Sequence, residues 1–299
     1  MKTATVMAPA RTKFDNILYA TDFSPAAAHA IPFVKKFAKH FQSKLVALHV
    51  RPPAITPITQ AQASIWEADI EATRAADEYH CQLLVESFSG IETNVLITDG
   101  SVQDDLNEAI KKNNTDLVII GTRGRTGLIK MLLGSVAEEI FRTVPCPVLT
   151  VGPHAENSKA EIREILFATD FATDPQAAAA YAVSLAQEFQ ARLTLLHVVP
   201  EPKAGELVGW HDLKESSRNM LDSLVPEEAR SWCKPEFFVE RGDPAERILD
   251  LAHLREVDLI VLGAQPESRV PGAATHLPTS TAHKVVAHAN CPVLTMRNR

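Results

Sequence analysis

The chain has 299 residues, 45% of them hydrophobic and 22% charged, and 37 acidic against 30 basic side chains give a formal net charge of −7. Only 12 glycines are present, no apolar run approaches the roughly 18 residues of a membrane span, and the acidic balance speaks against a generalised nucleic-acid or anionic-membrane surface. Cys81, Cys146, Cys233 and Cys291 form no C-x-x-C, and the opening MKTATVMAPARTK lacks the apolar core of a signal peptide, so a cytoplasmic chain with reduced, mostly buried thiols is expected.

In chain order, short apolar runs rich in β-branched residues alternate with longer helical patterns, which predicts βαβ units and a parallel sheet. Strands are expected at about 15–20, 44–50, 93–98, 116–121 and 147–151, with helices at about 25–41, 60–88, 102–113 and 135–143. The strand runs are apolar almost throughout, as expected when helices cover both faces. Ser24-Pro25 places a cap before a first-turn proline. Within 57–88, the spacing of Ile65, Ala68, Ala72, Ala75 and Tyr79 predicts the face laid on the sheet. That helix lacks the basic polar face of a membrane binder, and its start near Pro52-Pro53 and Pro57 suits a lid. The polar stretch 153–161 (PHAENSKAE) reads as a linker.

Beyond the linker the pattern begins again. Ile17 to Phe23 (ILYATDF) recurs as Ile165 to Phe171 (ILFATDF) at a shift of 148, and the same shift carries Leu45 to Val50 onto Leu193 to Val198. Asp116 to Gly121 matches Asp258 to Gly263 at 142, and Cys146 to Thr150 matches Cys291 to Thr295 at 145. Four blocks in one order mean a duplicated domain, 1–152 and 162–299, each copy a five-stranded doubly wound α/β unit. In such sheets ligands bind beyond the carboxyl ends of the strands, where the strand order reverses.

The residues just after strands are therefore the informative ones. After the fourth strand, Gly121, Gly124, Gly134 and Ser135 give the spacing G-x2-G-x9-G-S. Glycine lets backbone N–H groups approach a bulky anion, and Ser135 opens a helix whose free N–H groups suit a phosphate. Arg123, Arg125 and Lys130 add positive charge. Ser135-Val136-Ala137-Glu138 is also a capping box, so Ser135 alone does not decide between cradle and cap. Asp22 follows the first strand at the same edge, where its carboxylate can serve sugar hydroxyls or a turn. Val50 ends the second strand, where its side chain suits the core and its backbone a base edge.

Together the T-D-F-S turn, L-H-V and the glycine motif resemble the universal stress protein family, over nearly the whole chain as a tandem pair. The resemblance implies a sheet order of 3-2-1-4-5 and ATP binding. It implies that Asp22 with the Ala20 and Thr21 edge holds adenosine, and that the Val50 backbone reads adenine. Gly121, Arg123 and Gly124 would then meet ribose and phosphate, and Gly134, Ser135 and Val136 the phosphates, with Mg²⁺ or Mn²⁺ held mainly by nucleotide oxygens. It also implies an intrachain pseudo-dimer through Cys146 to Val151 and Cys291 to Met296, with a homodimer open. No catalytic residue is assigned. A slow ATPase or nucleotidyl-transfer enzyme and a scaffold with vestigial sites stay as alternatives.

The second copy keeps Asp170, Val198 and Gly263 but departs on the phosphate side. Pro266 stands where Gly124 is, Glu267 follows it, and Thr279-Ser280 replaces Gly134-Ser135 after a three-residue insertion. ATP is expected in the first copy alone. Among the histidines, His276, His283 and His288 do not share one helix face and predict no metal site, while the matched His49 and His197 suggest a structural hydrogen bond.

Overall fold

The computed structural model describes residues 12–51, 60–122, 140, 144–157, 161–172, 175–201, 209–264 and 280–297. The first half contains β1 (Asn16–Ala20), α1 (Pro25–Ala28), α2 (Ile31–Phe41), β2 (Lys44–Arg51), α3 (Gln60–Ser87), β3 (Thr93–Asp99), α4 (Val102–Lys112), β4 (Leu117–Gly121) and β5 (Val148–Val151). The second half contains β6 (Glu164–Thr169), α5 (Pro175–Phe189), β7 (Arg192–Val199), α6 (Trp210–Ser223), β8 (Glu236–Arg241), α7 (Pro244–Leu254), β9 (Leu259–Ala264), α8 (Thr281–His288) and β10 (Val293–Arg297).

The ten strands form one sheet in the order β3-β2-β1-β4-β5-β10-β9-β6-β7-β8. Each half thus runs 3-2-1-4-5, and its neighbours pair in parallel. The halves meet where β5 and β10 pair antiparallel, Val293 opposite Thr150 and Thr295 opposite Val148. Strand side chains alternate between faces. Ile17 and Tyr19 therefore join a core with α2 and α3, while Leu18 joins one with Leu106 and Ile110 of α4. The first of these cores is continuous with that under α5 of the second half. Aromatic rings span the join: Phe189 lies 5.4 Å from Phe37 and 6.0 Å from Phe41 between ring centres, and His40 is 3.4 Å from Glu188.

Two expectations about helices change. The helix read at 25–41 breaks at His29-Ala30, because Pro32 lacks the N–H that would bond the Ala28 carbonyl and its ring crowds that oxygen. In α3, Ala72, Ala75 and Tyr79 are exposed, not laid on the sheet; the inward stripe is Asp77, His80, Cys81 and Leu84, continued by Phe88 just past the helix. Ile65 and Ala68 fall outside the described side chains. The stretch read as a linker includes a 3₁₀ turn, Pro153–Asn157, whose Ala155 is buried in the core.

The edge of the sheet where the strands begin shows how far the halves have diverged. In the second half Arg255, the residue that ends α7, forks on Glu236 at 2.6 and 3.1 Å and comes within 3.6 Å of Glu164. Glu164 is 1% exposed and also meets Arg192 and Thr194, each at 2.7 Å. The first half has Asn113, Asn94, Asn16, Lys44 and Val46 at the positions equivalent by register and capping. There the shorter side chains leave a cavity of about 380 Å³.

Candidate functional site

At the opposite edge β1 stops early. Its register with β2 ends at Ala20 opposite Leu48, and the last bond is from Thr21 N–H to the Leu48 carbonyl at 2.9 Å. The chain then folds into a tight turn made by its own side chains. Phe23 N–H donates to Thr21 Oγ1 at 3.0 Å, Ser24 N–H to Asp22 Oδ1 at 3.0 Å, and Ala27 N–H to Ser24 Oγ at 3.1 Å. These bonds hold Phe23 at φ +55°, a left-handed conformation that non-glycine residues seldom adopt. Asp22 is thus a turn aspartate at the crevice rim, exposed to solvent.

Backbone groups of a strand point alternately to its two neighbours. Leu48 faces β1, so Val50 presents its N–H and C=O to the same side, past the end of β1. The next rung would join Val50 N–H to the Thr21 carbonyl. That carbonyl instead accepts from His49 Nδ1 at 2.9 Å, which places the ring proton on Nδ1 because a carbonyl only accepts. Among the described residues the β1 ladder closes no further, leaving an open backbone edge at Val50 beside Asp22. The Val50 side chain packs half-buried against the α4 core.

Gly121 ends β4 across this gap. A Cβ there would lie 2.5 Å from the Ala26 carbonyl oxygen and 2.8 Å from Ala27 Cα, so the short helix α1 approaches the strand only because residue 121 is glycine. Arg123, Gly124, Gly134, Ser135 and Val136 lie outside the described residues. The structure therefore brings Ala20, Thr21, Asp22, Val50 and Gly121 together at one strand-end crevice.

Beneath the turn sits a polar corner that the sequence reading missed. His49 and His80 flank Phe23, with ring centres 4.4 and 5.1 Å away. Asp77, 7% exposed, has Oδ1 at 3.9 Å from His49 Nε2 and Oδ2 at 3.5 Å from Arg51 Nη1. Arg51 donates from Nη2 to Asp99 Oδ2 at 2.8 Å, and its Nε lies in an ion-pair contact 2.8 Å from Asp99 Oδ1. The signal for it was the stripe Asp77, His80, Leu84 on α3, continued by Phe88 just past its end. Nearby, burial pushes the Tyr19 phenol up to about 12, and its hydroxyl donates to the Ala27 carbonyl at 2.8 Å.

The second half repeats the turn. Phe171 N–H donates to Thr169 Oγ1 at 3.0 Å, Ala172 N–H to Asp170 Oδ1 at 2.9 Å, and His197 Nδ1 to the Thr169 carbonyl at 2.8 Å. Phe171 has φ +59° and lies 4.5 Å from His197. Ser280 caps α8, accepting from His283 N–H at 3.3 Å. Pro266, Glu267, His276 and Thr279 lie outside the described residues.

A model described as the universal stress protein family matches residues 13–152 and again 161–297. The chain belongs to this family. A universal stress protein of Mycolicibacterium smegmatis is 24% identical over 296 residues, covering 95% of this chain and 97% of that protein. One from Methanocaldococcus jannaschii is 28% identical over 150 residues, 46% of this chain and 82% of the relative. Among solved structures, a universal stress protein from Archaeoglobus fulgidus superposes with a TM-score of 0.68 at 20% identity, covering 96% of this chain and 99% of its own. That likeness supports the tandem fold. Among the described residues of this universal stress protein, no group of three His, Cys, Asp or Glu is placed to hold a metal, and no helix is long and apolar enough to cross a membrane.

Proposed function

We propose that this chain is a nucleotide-binding protein of the stress response that holds one ATP in its first half. The observation that carries the reading is the open Val50 backbone edge beside Asp22, at the crevice left where β1 ends. An adenine needs an acceptor for its amino group and a donor for its ring nitrogen, and a bare strand edge offers both. Asp22 and the Ala20–Thr21 edge receive the ribose. Gly121, Arg123 and Gly124, followed by Gly134, Ser135 and Val136, receive the phosphates through backbone N–H groups and a helix start. Mg²⁺ or Mn²⁺ travels with the phosphates and neutralises them.

On this reading the functional units are 1–152 and 162–299, joined through 153–161 and working as an intrachain pseudo-dimer in the cytoplasm. The second half keeps the turn and Gly263 but lacks counterparts of Gly124 and Gly134, so it serves regulation or packing. Isothermal titration of ATP tests the reading: the intact chain binds, and Gly124→Pro, which removes an N–H and fixes φ, does not. Equal binding by the variant, or none by the intact chain, refutes it.

A further inference from the structure

We infer that Arg51, Asp77 and Asp99 form an ionic clamp that holds the Val50 edge in place and so sets which base the first half accepts. The inference rests on the nucleotide reading above.

Beyond Leu48, β2 has lost β1 and, among the described residues, keeps a strand partner only in β3, with Arg51 opposite Asp99 as the last rung. A strand end bonded on one side opens readily, and an opening edge aims its N–H and C=O poorly. Side chains replace the missing rungs. His49 ties the strand to the Thr21 carbonyl, while Arg51 grips Asp99 through a charge-assisted hydrogen bond from Nη2 to Oδ2 at 2.8 Å and an ion-pair contact of Nε with Oδ1 at 2.8 Å. Gly100 N–H adds a bond to the Arg51 carbonyl at 3.0 Å. Asp77 brings α3 into the same corner. Its carboxylate is buried and draws compensation from Arg51 at 3.5 Å, one residue beyond Val50. Strand, neighbouring strand and covering helix are thus tied at the residue that follows the base-reading one.

The second half is an internal control. It retains the His197 bond to Thr169 and the Phe171 packing, so the turn is the same. By register, Val199 opposite Arg241 corresponds to Arg51 opposite Asp99. The strand-end arginine has moved to the outer strand, where it lies 4.3 Å over the Trp210 ring. The ionic clamp occurs in the half that keeps the glycine motif and is replaced in the half that lost it. Arg51, Asp77 and Asp99 are positioning residues, acting through the Val50 backbone.

The experiment compares the intact chain with Arg51→Met, Asp77→Asn and the charge-keeping Arg51→Lys. It reads ATP affinity, the ATP-to-GTP ratio, competition by inorganic triphosphate, and amide exchange of residues 48–51 without ligand. Guanine presents a carbonyl and a ring N–H where adenine presents an amine and a ring nitrogen, so a poorly held edge loses discrimination. Arg51→Met and Asp77→Asn are expected to weaken ATP by about tenfold, bring the ATP-to-GTP ratio toward one and leave triphosphate competition unchanged. Arg51→Lys is expected to recover part of the ratio. An unchanged ratio, or ATP and triphosphate weakened alike, overturns the clamp. If the intact chain binds no ATP, the nucleotide reading fails separately and amide exchange decides: faster exchange confined to 48–51 supports the clamp, and unchanged exchange overturns it.

Discussion

The two crevices of this chain share a backbone turn with its aspartate and differ in the charges at the strand ends behind it. Both have the same Thr-Asp-Phe turn, the same imidazole on the same carbonyl at 2.9 and 2.8 Å, and phenylalanines at φ +55° and +59°. Only the first adds the Arg51–Asp77–Asp99 corner and the G-x2-G-x9-G-S sequence. The turn is therefore part of how each sheet closes, and its presence alone says little about a ligand. On the proposed reading, the strand-end charges and the loop sequence after the fourth strand are what set the two halves apart.

The comparison can be broken most strongly at the far edge. Arg255→Ala removes the guanidinium facing Glu164 and Glu236 and is expected to cost about 3 kcal/mol in urea unfolding, because a nearly inaccessible carboxylate loses a partner. Asn113→Ala, at the equivalent place beside the first-half cavity, loses only a bond to the Ala109 carbonyl and is expected to cost about 1 kcal/mol. Equal costs would mean that the two edges are held alike.

Gly121→Ala tests the close approach of α1 to β4. The added methyl meets backbone atoms at 2.5 and 2.8 Å, so about 2 kcal/mol of stability is expected to go, with ATP affinity falling as the turn shifts. A variant as stable as the parent would remove the packing account of this glycine.

A smaller effect belongs to Asp243, which caps α7 and meets Lys284 at 3.2 Å. The Glu246 N–H and then Lys284 hold its carboxyl below the ordinary range. A folded-state value lowered in this way stabilises above the unfolded value and is lost as pH falls through the folded one. Asp243→Ala is therefore expected to cost about 1 kcal/mol near neutrality, and the gap from the parent should close in acid. A gap that widens in acid would reverse the assigned sign. Cys291, buried and pushed up to about 12, should resist thiol alkylation at pH 8 until the chain unfolds.

The duplication and the strands were legible because each strand is a continuous apolar run and the motif ILYATDF recurs almost unchanged. Local chemistry was legible too, as at the Ser24 cap. The face of α3 was not. Ala72, Ala75 and Tyr79 imitate a buried stripe, whereas the true one contains Asp77 and His80. A buried aspartate is made tolerable here by Arg51, which lies more than twenty residues earlier on a strand. Such burial is decided by a tertiary partner, and helical periodicity carries no record of it. The break at His29-Ala30 was readable from Pro32, whose missing N–H leaves the helix no other course. For the site, strand ends located Ala20, Asp22, Val50 and Gly121, but the clamp depends on side chains from three elements.

The central claim is that one half alone binds nucleotide, and counting ligands tests it most directly. Native mass spectrometry of the intact chain with ATP is predicted to show one nucleotide per chain, kept in Asp170→Ala and lost in Asp22→Ala. Two nucleotides per chain, none, or loss in Asp170→Ala alone would contradict the account.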